Sequence, residues 1–315
     1  NWRNAQPLPA PDGPLSGATH LLFSAYPYKP MSRFREGFVN CPGQTQALRM
    51  AYTDWGDIDN PRRLICVHGL TRCGRDFDTL AEALADDYRV ICPDIIGRGL
   101  SDWLDDPAGY GIPTYAQNML ALLAQLGAAK VDWLGTSMGG LIGMALAAQP
   151  DSPIQRLILN DVGPEISGPS LARIAQYVGR DERWDSLEEA MAQQSQALAP
   201  FGQLSPAQWH RILLPGLVQD AQGRWRTRYD PRIALSLRAI SDANQNANLW
   251  PLYEAITCPT LAIHGAESDL LTAEVWQAMA TRGPRATLAE VPNVGHAPPF
   301  LDEAQIAIVR GYLLG

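Results

Sequence analysis

Residues 131–148 read VDWLGTSMGGLIGMALAA. An apolar run of strand length meets a serine framed by glycines, and an apolar run of helical length follows. Glycine weakens a strand or helix relative to alanine. Four glycines between positions 135 and 143 therefore demand a steric reason at the join. A strand turning sharply into a helix supplies one. Small residues two places either side of Ser137 let the backbone reverse tightly and project the hydroxyl from the carboxyl end of a sheet. In open α/β sheets, ligands bind along that edge.

Such a join needs a parallel sheet around it, and the flanking sequence carries the pattern of one. RLICVHG (63–69), YRVICPDI (88–95), KVDWLGTS (130–137), IQRLILND (154–161), CPTLAIHG (258–265) and ATLAEVPN (286–293) read as buried strands. Between them stand helical patterns: FDTLAEALADD (77–87), TYAQNMLALLAQLG (114–127, stopped by Gly127), TAEVWQAMATRG (272–283) and DEAQIAIVRGYLL (302–314). FREGFVN and ALRMAYTDWG add two strands joined by the turn-rich CPGQTQ. Strands alternating with helices imply a parallel sheet with right-handed crossovers. From Val162 to Trp250 the strand pattern vanishes and helical segments with four tryptophans (Trp184, Trp209, Trp225, Trp250) take over. The expected organisation is an extended arm over residues 1–33, an α/β core over 34–161 and 251–315, and a helical insertion over 162–250. The tryptophans are expected to be core rather than substrate wall.

Composition narrows the function classes. A net charge of −8 without a basic cluster is a poor match for nucleic acid or an anionic membrane. The five cysteines (Cys41, Cys66, Cys73, Cys92, Cys258) form neither a C-x-x-C pair nor an even set. They fit buried small apolar residues in a reducing, cytoplasmic setting rather than disulfides or a metal site. No segment has the length of a membrane span and no signal peptide is visible.

A serine hydroxyl is a weak nucleophile and needs a base. Of the five histidines, His20 lies in the arm, His210 in the insertion, and His264 at a strand end, where a packed, hydrogen-bonded ring is expected. His296 follows the last strand, in VPNVGHAPPF, on a loop that converges on Ser137, and is the candidate base. Its acid partner is expected to be Asp269, because the strand before it should adjoin the strand feeding His296. Asp161 is the alternative, expected to line the site at the mouth of the insertion. The oxyanion formed on attack needs backbone donors. Met138 N–H follows the nucleophile, and Leu70 N–H lies after His68 and Gly69, where glycine permits close approach. PDIIGRGLSD (93–102) matches neither phosphate-loop spacing and reads as a structural turn bordering the site. Arg72 and Arg98 are candidates to face the cleft and bind a substrate carboxylate, with a solvated surface position the alternative for each.

Taken together, VHGL (67–70), PDIIGRGLSD, GTSMGG (135–140), HGAESDLLT with Asp269 and VGHAPP with His296 resemble the α/β-hydrolase superfamily, from about residue 34 onward. The resemblance implies an eight-stranded, mostly parallel sheet with helices on both faces, a helical cap after the sixth strand, and a Ser–His–Asp mechanism without cofactor or metal. Serine at the elbow disfavours epoxide hydrolase and haloalkane dehalogenase chemistry, which place aspartate there. The S-M-G-G elbow is similar to those of small-molecule esterases, meta-cleavage C–C hydrolases, enol-lactonases and perhydrolases. The expected function is a serine hydrolase of small carboxylic esters. The runner-up is a C–C hydrolase of diketone acids, and the alternative outside enzymes is a ligand receptor on the same scaffold. The expected partner is a small-molecule ester, with no nucleic acid and no membrane, and a homodimer is left open.

Overall fold

A computed structural model describes residues 34–241 and 246–315. The arm expected over residues 1–33, and His20 with it, lies outside the described residues.

From Phe34 the described residues run through β1 (Phe34–Cys41), β2 (Leu48–Trp55), β3 (Arg63–Val67), α1 (Asp78–Leu84), β4 (Arg89–Pro93), α2 (Ile112–Gln125), β5 (Val131–Thr136), α3 (Met138–Ala147) and β6 (Ile154–Asn160). After the inserted segment come α8 (Trp250–Glu254), β11 (Thr260–Gly265), α9 (Ala273–Met279), β12 (Thr287–Val291) and α10 (Glu303–Leu314). Eight strands form one sheet in the order β1-β2-β4-β3-β5-β6-β11-β12. β2 runs antiparallel to both neighbours, and every other pairing is parallel. The chain winds one way from β3 to β4, then back past β3 to β5 and onward. Right-handed crossovers therefore place α1 on the opposite face from α2 and α3. Accordingly α2 packs on α3, and α10 packs on α1. Isoleucines and leucines of β3, β5 and β6 are wholly buried, as strands covered on both faces require.

The reversal at β3 matters for function. Its neighbours β4 and β5 are reached by crossovers on opposite faces, which opens a crevice at the carboxyl end of the strands. The loops after β3 and β5 border that crevice, and they carry Gly69-Leu70 and Ser137.

Between β6 and α8 the inserted segment holds β7 (Glu165–Ile166), α4 (Gly168–Tyr177), α5 (Leu187–Ala197), α6 (Pro206–Leu213), β8 (Leu217–Gln219), β9 (Trp225–Thr227), α7 (Ala234–Ser241) and β10 (Ala247–Asn248). The sequence pattern suggests no strand here, yet β7 pairs with β10 and β8 with β9. Strands of two or three residues are too short to show an alternation. The β7–β10 pair draws the two ends of the segment together. Trp184 and Trp250 are buried, whereas Trp209 and Trp225 are half-buried; Trp184 bridges Trp225 backbone to backbone. All five cysteines are free thiols, and Cys66 and Cys92 are buried in β3 and β4. Among the described residues, no helix is long and apolar enough to cross a membrane.

Candidate active site

The join at Ser137 has the predicted strained form. Ser137 sits at φ 52° and ψ −115°, between β5 and α3, and its N–H donates to the Asn160 carbonyl at 3.1 Å. An L-residue rarely adopts this backbone, and such strain persists only where the surroundings enforce it. The glycines show what does so. A Cβ on Gly135 would overlap the Gly139 carbonyl, and one on Gly139 would overlap the Val67 carbonyl of β3. Helix α3 therefore starts in direct backbone contact with the central strand.

His296 reaches over this elbow from the loop after β12. Its Nε2 lies 3.0 Å from Ser137 Oγ. Its Nδ1 lies 2.7 Å from Asp161 Oδ2. A carboxylate accepts only, so Nδ1 carries the proton and Nε2 presents a lone pair to the serine hydroxyl. Asp161 is fully buried one residue beyond β6, itself at φ 54°. Its Oδ1 accepts from Gly265 N–H at 2.9 Å, and its Oδ2 also accepts from Ser268 Oγ at 2.6 Å. Both carboxylate oxygens are thus satisfied and fixed.

Asp269, the acid expected from the sequence, is not at this site. It is 55% exposed and forms an ion pair with Arg173 of α4 at 2.8 Å. β11 does adjoin β12. The loop after β11, however, turns Ser268 inward onto Asp161 and leaves Asp269 facing out. β6 lies between β5 and β11, so its end is closer to the serine. Asp161 thus touches His296 directly instead of merely lining the site.

Asn160, which sequence reasoning did not single out, ties these parts together. Its Nδ2 donates to Thr136 Oγ1 and to the Pro298 carbonyl, each at 2.9 Å, joining the elbow to the histidine loop. The available signal was the polar pair Asn160-Asp161 at the end of an apolar strand.

The loop after β3 is held with similar economy. A Cβ on Gly69 would come within 3.8 Å of Ser137 Cβ, so the loop passes close over the serine. His68 Nδ1–H donates to the Gly69 carbonyl at 2.7 Å, while Nε2 accepts from Ile95 N–H at 3.0 Å. Burial, with the nearby Arg98 and Arg72 charges, pushes the His68 pKa down to about 3 although the Gly69 carbonyl opposes the shift. The ring is a neutral clamp. Gly69 C=O and Leu70 N–H belong to one peptide plane, so fixing the first aims the second. Among the described residues, neither Leu70 N–H nor Met138 N–H is taken up by a backbone acceptor.

The two arginines do not face an open cleft. Arg72 grips Asp76 through Nε (2.9 Å) and Nη2 (2.6 Å), and Nη2 also donates to the Ile212 carbonyl of α6. Arg98 is wholly buried. His264 is packed as expected, stacked on Trp276 and bonded to the Leu271 carbonyl at 3.0 Å. His210 lies on α6. The cavity beside the site measures about 20 Å³ and is lined by His68, Asp76, Thr136, Phe201, Ala297 and Phe300. That is room for about one water. The inserted segment borders it through Phe201 and Ile212, and Gly295 N–H donates to the Pro200 carbonyl at 2.7 Å.

Comparison with known proteins places this geometry in context. A family model described as the alpha/beta hydrolase family matches residues 64–309. A 3-hydroxybutyrate-oligomer hydrolase of Cupriavidus necator is 48% identical over 288 residues, covering 89% of this chain and 98% of its own length. The crystal structure of an alpha/beta hydrolase from Novosphingobium aromaticivorans superposes with a TM-score of 0.79 at 36% identity, over 90% of this chain and 98% of the other. A 3-oxoadipate enol-lactonase of Acinetobacter baylyi is 26% identical over 80% of this chain and 87% of its own length.

Proposed function

Because the chain belongs to the alpha/beta hydrolase family and is a hydrolase, we propose that it cleaves carboxylic esters through an acyl-serine intermediate. Short hydroxyalkanoate oligomers are its substrate class. The observation that carries this reading is the unbroken line of hydrogen bonds from buried Asp161 through His296 to Ser137. The substrate class rests on the activity named for the Cupriavidus relative, which aligns over nearly its whole length.

Ser137 Oγ attacks the ester carbonyl carbon while His296 Nε2 takes the hydroxyl proton. The carbonyl oxygen becomes an oxyanion held by the Leu70 and Met138 amides. Asp161 fixes the His296 tautomer and stabilises the imidazolium that forms. The intermediate collapses, the C–O bond breaks, and His296 returns its proton to the departing alcohol oxygen. A water then repeats the sequence on the acyl-serine and releases the acid. Residues 162–250 act as a cap over this site, with Phe201 and Ile212 lining the cavity beside it.

Incubation of the purified protein with the dimer and trimer of 3-hydroxybutyrate tests the reading. Release of the free hydroxy acid, abolished by Ser137→Ala, is the expected result. Absence of release, or release that survives that substitution, overturns it.

A further inference from the structure

Arg98 stands between two glycines of the turn 97–99, both at positive φ (Gly97 at 89°, Gly99 at 55°). That winding turns the arginine inward, where it is wholly buried. Its guanidinium meets neutral groups. Nε donates to the Leu70 carbonyl at 2.8 Å. Nη1 donates to the Ile96 carbonyl and to Tyr115 Oη, each at 2.8 Å. Nη2 approaches Met138 Sδ at 3.5 Å, and the Tyr115 ring lies beneath the charge at 4.8 Å. Among the described residues, no carboxylate forms an ion pair with Arg98.

A buried cation without a counter-ion is costly. Its contacts indicate what it does in return. One guanidinium touches both residues whose amides are assigned to the oxyanion, Leu70 at its carbonyl in the loop after β3 and Met138 at its side-chain sulfur at the start of α3. His68 fixes the peptide before Leu70, and Arg98 fixes the carbonyl after it. The same turn anchors the inserted segment, with Gly99 N–H donating to the Arg228 carbonyl at 2.9 Å and Asp230 N–H to the Gly97 carbonyl at 2.8 Å.

Resting on the ester-hydrolase reading, we propose that Arg98 is the positioning residue of the oxyanion hole. It holds the Leu70 loop against the start of α3, and its charge gains a counter-ion only when the oxyanion forms. That selective gain falls on the transition state rather than the bound ester.

The test is steady-state kinetics on p-nitrophenyl butyrate with wild type, Arg98→Lys and Arg98→Ala. Arg98→Ala is expected to lower kcat about 10²-fold, the scale of a lost oxyanion donor, with KM nearly unchanged. Arg98→Lys restores part of the loss. Added methylguanidinium rescues Arg98→Ala, whereas urea, of similar shape but uncharged, does not. Unchanged kcat, or equal rescue by urea, overturns the proposal. If Arg98→Ala does not fold, Tyr115→Phe keeps the question open to decision. Freeing Nη1 should weaken binding of a boronic-acid inhibitor in proportion to kcat while KM stays constant, and no change in either overturns it. Inactive wild type would instead defeat the ester-hydrolase reading, which separates the two failures.

Discussion

Asp161 and His296 stand 135 positions apart in the chain and 2.7 Å apart in space. The contact follows from strand order. β6 ends between β5, which feeds the serine, and β11 and β12, the last of which feeds the histidine loop. Asp161→Asn should therefore lower turnover of an ester by up to about 10⁴-fold, as loss of the oriented tautomer does in serine proteases. Asp269→Asn should leave turnover within about threefold, because an exposed pair such as Arg173–Asp269 contributes at most about 1 kcal/mol. Parallel kinetics on the two variants decide the matter, and a reversed ranking would return the acid role to Asp269.

Strain at Ser137 gives a stability prediction independent of chemistry. At φ 52° and ψ −115° a side-chain-bearing residue costs on the order of 1–3 kcal/mol, and glycine escapes most of that while losing more backbone entropy on folding. Ser137→Gly should thus be about 1 kcal/mol more stable than Ser137→Ala and unfold at a higher urea midpoint. Both variants should be inactive. Equal midpoints in urea would mean the elbow is not strained.

Much of this was legible because the signals are local. The glycines around Ser137 describe a turn within a dozen residues, and His296 is marked by its place after the last strand. The acid was not legible. Choosing Asp161 over Asp269 requires knowing that Ser268 turns inward and Asp269 outward, a fact set by contacts across the sheet. Arg98 failed for another reason. An arginine in a glycine-rich turn reads as cleft-facing or solvated, whereas its contacts inside the fold bury it completely. The short strands β7 to β10 carry too few residues to show a period, so the insertion looked purely helical.

Asn160 should behave as a positioning residue. Its amide bridges Thr136 and the Pro298 carbonyl, and Asn160→Ala would leave the buried Pro298 carbonyl without that donor. Loss of such a partner costs about 1–3 kcal/mol of stability. Turnover should fall with KM nearly constant as the histidine loop loosens. Unfolding curves and a kcat-against-KM split check both halves, and an unchanged kcat would remove Asn160 from the site.

Two buried groups set opposing pH dependences. Folded His68 titrates near 3, below its ordinary 6.5. Between those values the unfolded chain binds a proton that the folded chain does not. Its contribution is therefore fully present above about pH 6.5 and is lost toward pH 3, at about 1.4 kcal/mol per pH unit. Asp94 is the reverse. Burial raises it from 3.8 to about 6, against the Leu100 and Gly74 amides it accepts from. Its contribution is fully present below about pH 4 and is lost as pH rises through 6. The two slopes oppose each other between about pH 4 and pH 6. Asp94→Asn cannot take up the proton, so its stability should fall more steeply than wild type as pH drops across that window, by about 1.4 kcal/mol per unit. Urea unfolding at three pH values within it provides the comparison, and parallel lines for the two proteins would show that Asp94 is not protonated in the fold.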